Sequence, residues 1–488
     1  MNPLYPELFR AIAPEAALVV AALLVISADL LLGRHRPLAG RLQLATGLGA
    51  AGVLAALVIG LFVGSPGSVF GGSLMLDPLA VAVRAGVLVL VLLTLGVVAA
   101  APQNRQPAEY VALILFAAVG FLQMAVAQQL LLAFLALELA SISLYVLAGY
   151  DKSRPESAEA ALKYFLVGAM SAAFLLFGFS LLYGLTGSIA FSDISHALAY
   201  QAMTPLLAIA LVMVLVAFGF KAAAAPFHLW APDAYQGAPT ASAALIASAS
   251  KLAGFALFWR LLWSGLGSAA GQFTVHCSYP GWLVIVALLS GASLLVGNFA
   301  ALAQHNVRRL LAYSAIAHVG ALLLGILSAG HSGPGPLFFY AATYGVATVG
   351  AFGVLAVMER QGRCQEISDL AGLSRRSPLL AGCLFVFVLS LAGIPPLAGF
   401  FGKFAVYAAA LQMGGVASPA GWLTLLAIAL SAVALYYYLI VLKQALVSPP
   451  AAGAARIPVP RIAALTLVAA AALLVFLGVF PSVLLRLF

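Results

Sequence analysis

Long apolar stretches, separated by short segments rich in Pro, Gly and charged residues, recur along the whole chain. A helix of about 20 apolar residues is long enough to cross the hydrocarbon core of a bilayer. Fourteen candidate spans, numbered span 1 to span 14, begin near residues 12, 42, 78, 110, 130, 159, 205, 240, 281, 308, 336, 379, 420 and 461. The pattern predicts an all-α polytopic membrane protein with about 14 transmembrane helices.

Two of the predicted spans are broken by proline. Span 7 contains Pro226, and span 12 contains Pro395 and Pro396. Because these spans lie five apart in an alternating topology, they run in opposite directions, which favours two inverted five-helix repeats. We therefore divide the chain into residues 1–109 with spans 1 to 3, residues 110–265 and 280–446 with the two repeats (spans 4 to 8 and 9 to 13), and residues 447–488 with span 14.

Composition agrees with a membrane protein, since 64% of the residues are hydrophobic and 8% are charged. The net charge of +9 indicates the orientation of the chain in the membrane and not nucleic-acid binding, because most basic residues lie in every second loop between spans. Those residues are Arg34, Arg36, Arg41, Arg105, Lys152, Arg154, Arg308, Arg309, Arg360, Arg363, Arg375, Arg376, Lys443, Arg456 and Arg461. The positive-inside rule then predicts that both termini face outward.

The sequence offers no pattern for bond chemistry. Cys277, Cys364 and Cys383 have no CxxC spacing and no histidine cluster nearby, so neither a metal site nor a disulfide framework is indicated. Glu7 and Glu15 precede the first apolar run in place of a basic region, so a cleaved signal peptide is not expected. We predict no catalytic residues and no cofactor in this chain.

Three lysines fall where lipid would otherwise lie: Lys221 in span 7, Lys251 in span 8 and Lys403 after the break in span 12. A charged side chain at bilayer depth costs at least about 2.5–3.5 kcal/mol and is tolerated mainly where it faces a bundle interior or a wet path. Pro226 has no N–H, so the carbonyl of Ala222 loses its helical partner and is free to bind water. Each lysine is therefore a candidate functional residue.

Three further polar residues lie in apolar surroundings. Glu138 of span 5 is either functional or a structural residue hydrogen-bonded to Ser141, one turn later. Lys163 of span 6 either forms an ion pair with Glu138 or extends to the membrane interface. His318 of span 10 is either a proton relay or a packed core histidine. Arg84 of span 3 is expected to extend outward to the interface.

The candidate residues lie on spans 5, 6, 7, 8, 10 and 12, and the simplest arrangement is a line through the bundle at mid-depth. Removing water disfavours a charged lysine, while an approaching carboxylate favours it. A row of such groups, in which charging one changes the proton affinity of the next, is a proton path. The residues alone thus predict proton translocation.

Several stretches resemble one known family, the antiporter-like subunit N family of NADH–quinone oxidoreductase, respiratory complex I. They are FKAAAAPFHLWAPDAYQGAPT (220–240), LELASISLYVLAGY (137–150), ALKYFLVGAMSAAFLLFGFSLLYGLTGS (161–188), RRLLAYSAIAHVG (308–320) and LAGIPPLAGFFGKF (391–404). The similarity extends over nearly the whole chain. The pattern PFHxWxPDxYxGAPT and the lysine at position 403 distinguish this branch from the sister subunits.

The resemblance implies a fourteen-helix proton channel, driven by NADH oxidation and quinone reduction in other subunits, which hold FMN and iron–sulfur clusters. It implies that Glu138 is the span 5 carboxylate and Lys163 its partner, that Lys221 is the central lysine, that Lys251 is the link in span 8, and that Lys403 lies at the exit side. The expected partners are the other membrane subunits, lipid and the transported proton, in the cytoplasmic (inner) membrane of a bacterium.

Three other functions remain open on the sequence. The first is a subunit of a multi-subunit cation/proton antiporter, which shares the fold. The second is a subunit of a membrane hydrogenase. The third is a scaffold that holds neighbouring subunits without conducting protons.

Overall fold

The computed structural model describes residues 4–33, 36–63, 67–101, 106–274, 281–362, 364–450 and 454–487. Arg34, Arg105, Arg363 and Cys277, which entered the sequence predictions, lie outside the described residues. The topology prediction can therefore be compared with the structure only at the remaining basic residues.

The prediction of fourteen spans is confirmed. Thirteen helices in the described ranges are long and apolar enough to cross a membrane, and two shorter apolar helices form span 12. Spans 1 to 7 are Ala13–Gly33, Leu38–Val63, Pro78–Ala100, Pro107–Val126, Leu130–Ala148, Pro155–Thr186 and Pro205–Ala222, the last followed by a second half at Trp230–Gly237. Spans 8 to 14 are Thr240–Gly265, Trp282–Leu302, Val307–Ser332, Gly335–Glu359, the pair Pro378–Ala392 and Ala398–Leu411, Pro419–Leu446 and Arg461–Val479.

Local sequence fixes where these helices begin. Proline occupies the first turn of spans 1, 3, 4, 6, 7, 11, 13 and the first half of span 12, where its missing N–H is not needed and its fixed φ suits the helix. The side chains of Asp77, Thr204, Asn306 and Ser418 accept hydrogen bonds from the first free N–H groups of spans 3, 7, 10 and 13.

Short elements lie between the spans. Strands β1 (Gly67–Val69) and β2 (Leu74–Leu76) form an antiparallel hairpin with Ser68 opposite Met75, a small departure from the all-α prediction. The short helices are Leu4–Ala11, Phe191–Leu198, Leu373–Arg376 and Ser482–Leu485, with 3₁₀ turns at Gly267–Ala269 and Ile367–Leu370. Spans 1 and 8 end in π-helical turns, Asp29–Gly33 and Arg260–Gly265.

Burial divides the spans into an inner and an outer set. Spans 8, 10 and 11 are buried over almost their whole length, whereas most of spans 2, 6 and 14 faces outward. A charged side chain on an inner span is thus surrounded by protein and not by lipid. This placement is where membrane proteins tolerate charge.

The two broken spans end their first halves in the same way. In span 7, the N–H groups of Ala223 and Ala224 donate to the carbonyls of Phe220 and Gly219 at 2.9 and 2.7 Å, and Ala223 has a φ of 61°. In span 12, Gly393 and Ile394 donate to Ser390 and Leu389, both at 3.1 Å, and Gly393 has a φ of 83°. Both ends are Schellman motifs.

A second feature recurs in the two predicted repeats. Gln129, just before span 5, forms a β-bridge with Ala190, after span 6. Asn306, just before span 10, forms the same bridge with Glu366, after span 11. The matching helix ends and these bridges both recur five spans apart, and the division of the chain into two repeats stays a prediction.

The left-handed residue is alanine in one break and glycine in the other, and this difference generates a prediction. A left-handed conformation costs a residue with a Cβ about 1–2 kcal/mol, and a Cβ on Gly393 would lie 2.9 Å from Cδ of Lys403. We expect Gly393→Ala to lower thermal stability in detergent, and Ala223→Gly to preserve or raise it.

Gly382→Ala is the matched control for this experiment. Gly382 lies in the same helix, and a Cβ there would meet no atom within 4 Å. Because alanine favours a helix interior over glycine by about 1 kcal/mol, this change should be neutral or stabilising. Equal melting temperatures for Gly393→Ala and Gly382→Ala would contradict the prediction.

Candidate functional site

Lys221 is at the end of the first half of span 7, where it is buried with 6% of its surface exposed. Its ammonium Nζ donates a hydrogen bond to Oγ of Ser141 in span 5 at 3.1 Å. Ser141 in turn donates to the carbonyl of Leu137 at 2.7 Å, and so cannot serve the carboxylate of Glu138. The structure thus joins Lys221 to span 5 through a serine.

Glu138 lies three residues before Ser141 and within electrostatic range of Lys221. One of its carboxylate oxygens, Oε1, is buried without a hydrogen-bond partner among the described residues. The structural alternative, a hydrogen bond to Ser141, is therefore not what the structure shows. An unpaired carboxylate oxygen is costly to bury, so a charged Glu138 is stabilised by a positive charge at Lys221.

Lys251 binds the carbonyl that the proline break frees. Its Nζ donates to the carbonyl oxygen of Ala222 at 2.7 Å, and Lys251 is 4% exposed. The sequence predicted that this carbonyl would be free to bind water, whereas in the structure it accepts a bond from an ammonium group. Lys251 and Lys221 also line one small cavity of about 10 Å³, which is close to the smallest volume that holds one water molecule.

Span 8 contains a break that the sequence analysis did not predict. The chain departs from helical geometry at Ser248, with φ −119° and ψ −85°, between the helices Thr240–Ala247 and Ala249–Trp259. The side chain of Ser248 donates to the carbonyl of Ala244 at 2.6 Å. Lys251 follows one turn later. No proline or glycine marks this position, which is why the pattern of residues did not reveal it.

Lys403 repeats the arrangement of Lys251 in the second broken span. Its Nζ donates to the carbonyl oxygen of Ala392 at 3.0 Å, and Lys403 is buried. Ala392 occupies the same place before the left-handed residue Gly393 as Ala222 does before Ala223. A lysine therefore binds the freed carbonyl of each break. At the break in span 7 the lysine belongs to span 8, and at the break in span 12 it belongs to span 12 itself.

His318 is held by two tyrosines. Its Nδ1 lies 2.5 Å from the hydroxyl of Tyr340, and its Nε2 lies 3.1 Å from that of Tyr438. A neutral imidazole donates from one nitrogen and accepts at the other, so both bonds are satisfied together. His318 shares a cavity with Lys403 and lies within electrostatic range of Lys251 and Lys403. It therefore lies close enough to both lysines to respond to their charge.

Tyr340 and Tyr438 were missed by sequence reasoning. Tyrosine is common at membrane interfaces, and Tyr438 is the last of three consecutive tyrosines, so neither residue type nor spacing marks it as a partner of a buried histidine. The position of Tyr340 five residues into span 11 suggests an interface in the same way. Only the packing of spans 10, 11 and 13 brings them to His318.

The predicted ion pair between Lys163 and Glu138 is wrong. Lys163 is 45% exposed, and its Nζ lies 2.6 Å from Oδ2 of Asp233 and 2.6 Å from Oε1 of Glu159. Lys163 is in the third turn of span 6, near the start of that helix, and points to the second half of span 7. Its place is closer to the interface alternative, and two carboxylates bind the ammonium.

Asp233 joins the second half of span 7 to both repeats. It accepts hydrogen bonds from Lys163 of span 6 and, at 2.5 Å, from Arg309 of span 10. Burial opposes its charge, but these hydrogen bonds and the two positive charges stabilise the carboxylate of Asp233. These contacts add to the packing of the short helix Trp230–Gly237, most of whose residues are buried.

Arg308 ties the connection between spans 7 and 8 to the second repeat. Its guanidinium donates to the carbonyls of Gln236 and Ala238 at 3.1 and 3.0 Å, and also bonds Thr240 and Glu359. The sequence had placed Arg308 only as a marker of the cytoplasmic side. Its buried contacts show that it is part of the support for the broken span.

The expectation for Arg84 is also wrong. Arg84 is 4% exposed and forms an ion pair with the buried Glu15 of span 1, with a further bond to the carbonyl of Ala11 at 3.1 Å. Burial of both partners favours their pairing over extension to water. This pair lies outside the row of lysines.

The residues that the structure brings together are Glu138, Lys221, Lys251, His318 and Lys403, linked through hydrogen bonds, shared cavities or electrostatic range. Within the described residues, no three His, Cys, Asp or Glu side chains are placed to hold a metal ion. Cys364 and Cys383 are buried free thiols. The arrangement offers charge and proton transfer along a buried row.

Comparison with known proteins gives consistent matches. Residues 127–433 match the family model described as NADH:quinone oxidoreductase/Mrp antiporter, TM. NADH-quinone oxidoreductase subunit N 2 of Acidobacterium capsulatum is 50% identical, over 100% of this chain and 99% of the relative. NADH-quinone oxidoreductase subunit N of Nitrosomonas europaea is 36% identical over 100% and 96%. A chain of respiratory complex I from Thermus thermophilus with bound aureothin superposes with a TM-score of 0.79 at 35% identity, covering 97% and 98%.

The new partner of Lys163 can be tested with two double-mutant cycles. Residues in contact show coupling energies of about 0.5 kcal/mol or more, whereas separate residues add within about 0.3–0.5 kcal/mol. We expect Lys163→Gln and Asp233→Asn to be coupled in the free energy of unfolding, and Lys163→Gln and Glu138→Gln to be additive. Stronger coupling in the second cycle than in the first would restore the predicted ion pair.

Proposed function

The chain belongs to the NADH:quinone oxidoreductase/Mrp antiporter family of membrane proteins, and on this basis we propose that it acts as the proton-translocating subunit N of an NADH–quinone oxidoreductase. It is a multi-pass membrane protein that assembles with the other membrane subunits of that complex. We place it in the cytoplasmic (inner) membrane of a bacterium, with both termini outside.

The single observation that carries the proposal is the buried row from Glu138 to Lys403. Four residues of this row are at most 8% exposed, although they lie in apolar membrane spans: Lys221, Lys251, His318 and Lys403. Each of these charges costs free energy at this depth. A row of such residues supports transport, because the breaks account for Lys251 and Lys403 as donors to freed carbonyls but for neither Lys221 nor His318.

The geometry suggests how a proton moves along the row. A charged Glu138 favours the ammonium form of Lys221, which Ser141 holds by its oxygen. When that charge is neutralised, the proton of Lys221 passes through the shared cavity toward Lys251. The imidazole of His318, with a hydroxyl on each nitrogen, then passes a proton toward Lys403 by accepting at one nitrogen and donating at the other.

The driving reaction belongs to other subunits in this proposal. NADH, FMN, iron–sulfur clusters and quinone would be bound there, and this chain would make or break no bond except those to the transported proton. Glu138 lies on span 5, whose outward side includes the exposed Leu135, Leu139 and Ile142. A neighbouring membrane subunit packed on this side would lie next to the start of the row.

The other functions have less support. Relatives at 36% and 50% identity over the whole chain are subunits of NADH-quinone oxidoreductase, which disfavours a subunit of a cation antiporter or of a membrane hydrogenase. A scaffold that conducts no protons would account for the lysines that bind the freed carbonyls, but not for Lys221, which binds Ser141.

Substitution of Lys221 and Glu138 tests the proposal. We expect Lys221→Ala and Glu138→Ala each to lower NADH-driven proton uptake in inverted membrane vesicles by about tenfold, corresponding to about 1.4 kcal/mol in the barrier. Lys221→Ala removes the central ammonium, and Glu138→Ala removes the charge that stabilises it. The rate is normalised to the amount of assembled complex, measured on a native gel.

Lys443→Ala is the matched control, because Lys443 is an exposed lysine near the end of span 13. It should leave proton uptake unchanged. If Lys221→Ala and Glu138→Ala also left uptake unchanged in a fully assembled complex, the scaffold function would replace the proposed one.

A further inference from the structure

An apolar groove opens on the side of the bundle, away from the row of lysines. Spans 2, 3, 11 and 14 and the C-terminal segment enclose it, and its volume is about 480 Å³. Its lining is Leu61, Pro78, Val81, Ala82, Ala85, Gly86, Val89, Leu90, Ala342, Val346, Leu473, Leu477, Leu484, Arg486 and Leu487. All but one of these side chains are apolar, or absent in the case of glycine.

Small residues on span 3 create the groove. Ala82, Ala85 and Gly86 lie on one side of the helix, because residues three and four apart share a face. They are partly exposed, whereas the intervening Val83 and Val87 are buried against the bundle. The chain thus leaves room on the side where a membrane helix normally presents bulky residues to lipid.

The length of the groove matches one leaflet of a bilayer. It extends along span 3 from Pro78, where the span begins, to Leu90, which is about 18 Å of helix at 1.5 Å per residue. The hydrocarbon core of a bilayer is about 30 Å thick, so one leaflet contributes about 15 Å. The groove therefore has the depth of one acyl chain.

Arg486 is the only charged residue among the described lining residues. It is exposed, follows the short helix Ser482–Leu485, and forms none of the ion pairs found among the described residues. The outer ends of spans 3 and 14 lie beside it, because Pro78 and Leu477 line the same groove. A guanidinium in this place suits a phosphate group at the membrane surface.

We propose that this groove binds one anionic phospholipid, with an acyl chain along Ala82, Ala85 and Gly86 and its phosphate bound by Arg486. Charge complementarity selects this occupant, because a zwitterionic lipid or a neutral apolar molecule would gain much less from the arginine. The site does not depend on proton translocation and shares none of the residues of the buried row.

Photolabelling of the purified complex tests this site. Phosphatidylglycerol with a photoactivatable acyl chain is compared with matched phosphatidylcholine, and the labelled residues are mapped by mass spectrometry. A basic residue near the membrane surface contributes about 1 kcal/mol to binding an anionic lipid, so we expect about fivefold more labelling of residues 78–90 and 473–487 by phosphatidylglycerol. Arg486→Gln should abolish this preference.

Two matched controls separate the site from general lipid contact. Arg461→Gln changes an exposed arginine at the opposite end of span 14 and should keep the preference. Ala82→Phe should fill the groove and reduce labelling by both lipids, whereas Ala469→Phe, at an exposed position of span 14 outside the groove, should not. Equal labelling by the two lipids in the unmodified protein, a preference that survives Arg486→Gln, or undiminished labelling of Ala82→Phe would overturn the proposal.

Discussion

The rest of the structure depends on one constraint, which is that a backbone carbonyl inside a bilayer has to be hydrogen-bonded. A proline break removes the helical partner of a carbonyl where no bulk water can replace it. Here the carbonyls of Ala222 and Ala392 each accept a bond from a lysine ammonium, at 2.7 and 3.0 Å. The break and the lysine therefore stabilise each other, since the carbonyl gains a donor and the buried ammonium gains an acceptor. This mutual need places Lys251 and Lys403 at mid-bundle.

A broken helix also needs support for its second half. In span 7 that support comes from the other repeat, because Arg309 binds Asp233 and Arg308 binds the carbonyls of Gln236 and Ala238. Lys163 contributes a third positive contact from span 6. The short helix Trp230–Gly237 thus lies between cations of both repeats, with Asp233 as the shared acceptor. A displacement of span 10 would move the segment that follows Lys221, which gives the two repeats a mechanical connection at one end of span 7.

The sequence was sufficient for features that depend on local chemistry. Apolar length predicted the spans, prolines predicted the breaks at Pro226 and Pro395, and charge in apolar runs selected the residues of the buried row. It was insufficient where a side chain had several acceptors within reach. Lys163 could reach Glu138 or Asp233, and the choice depends on how the second half of span 7 packs. The break at Ser248 and the tyrosines at His318 were missed for a related reason, since neither residue type is unusual in a membrane helix.

Both breaks begin with a Schellman motif, but the lysine that binds the freed carbonyl belongs to a neighbouring span in one case and to the broken span itself in the other. Lys403 binds a carbonyl of its own span, so a change in its charge alters a contact between the two halves of span 12. Lys251 binds a carbonyl of span 7 from span 8, beside a second break at Ser248. A change in the charge of Lys251 therefore alters a contact between two helices, and with it the cavity that Lys251 shares with Lys221. Of the two lysines that bind the breaks, Lys251 is therefore the one whose hydrogen bond joins two different spans, 7 and 8.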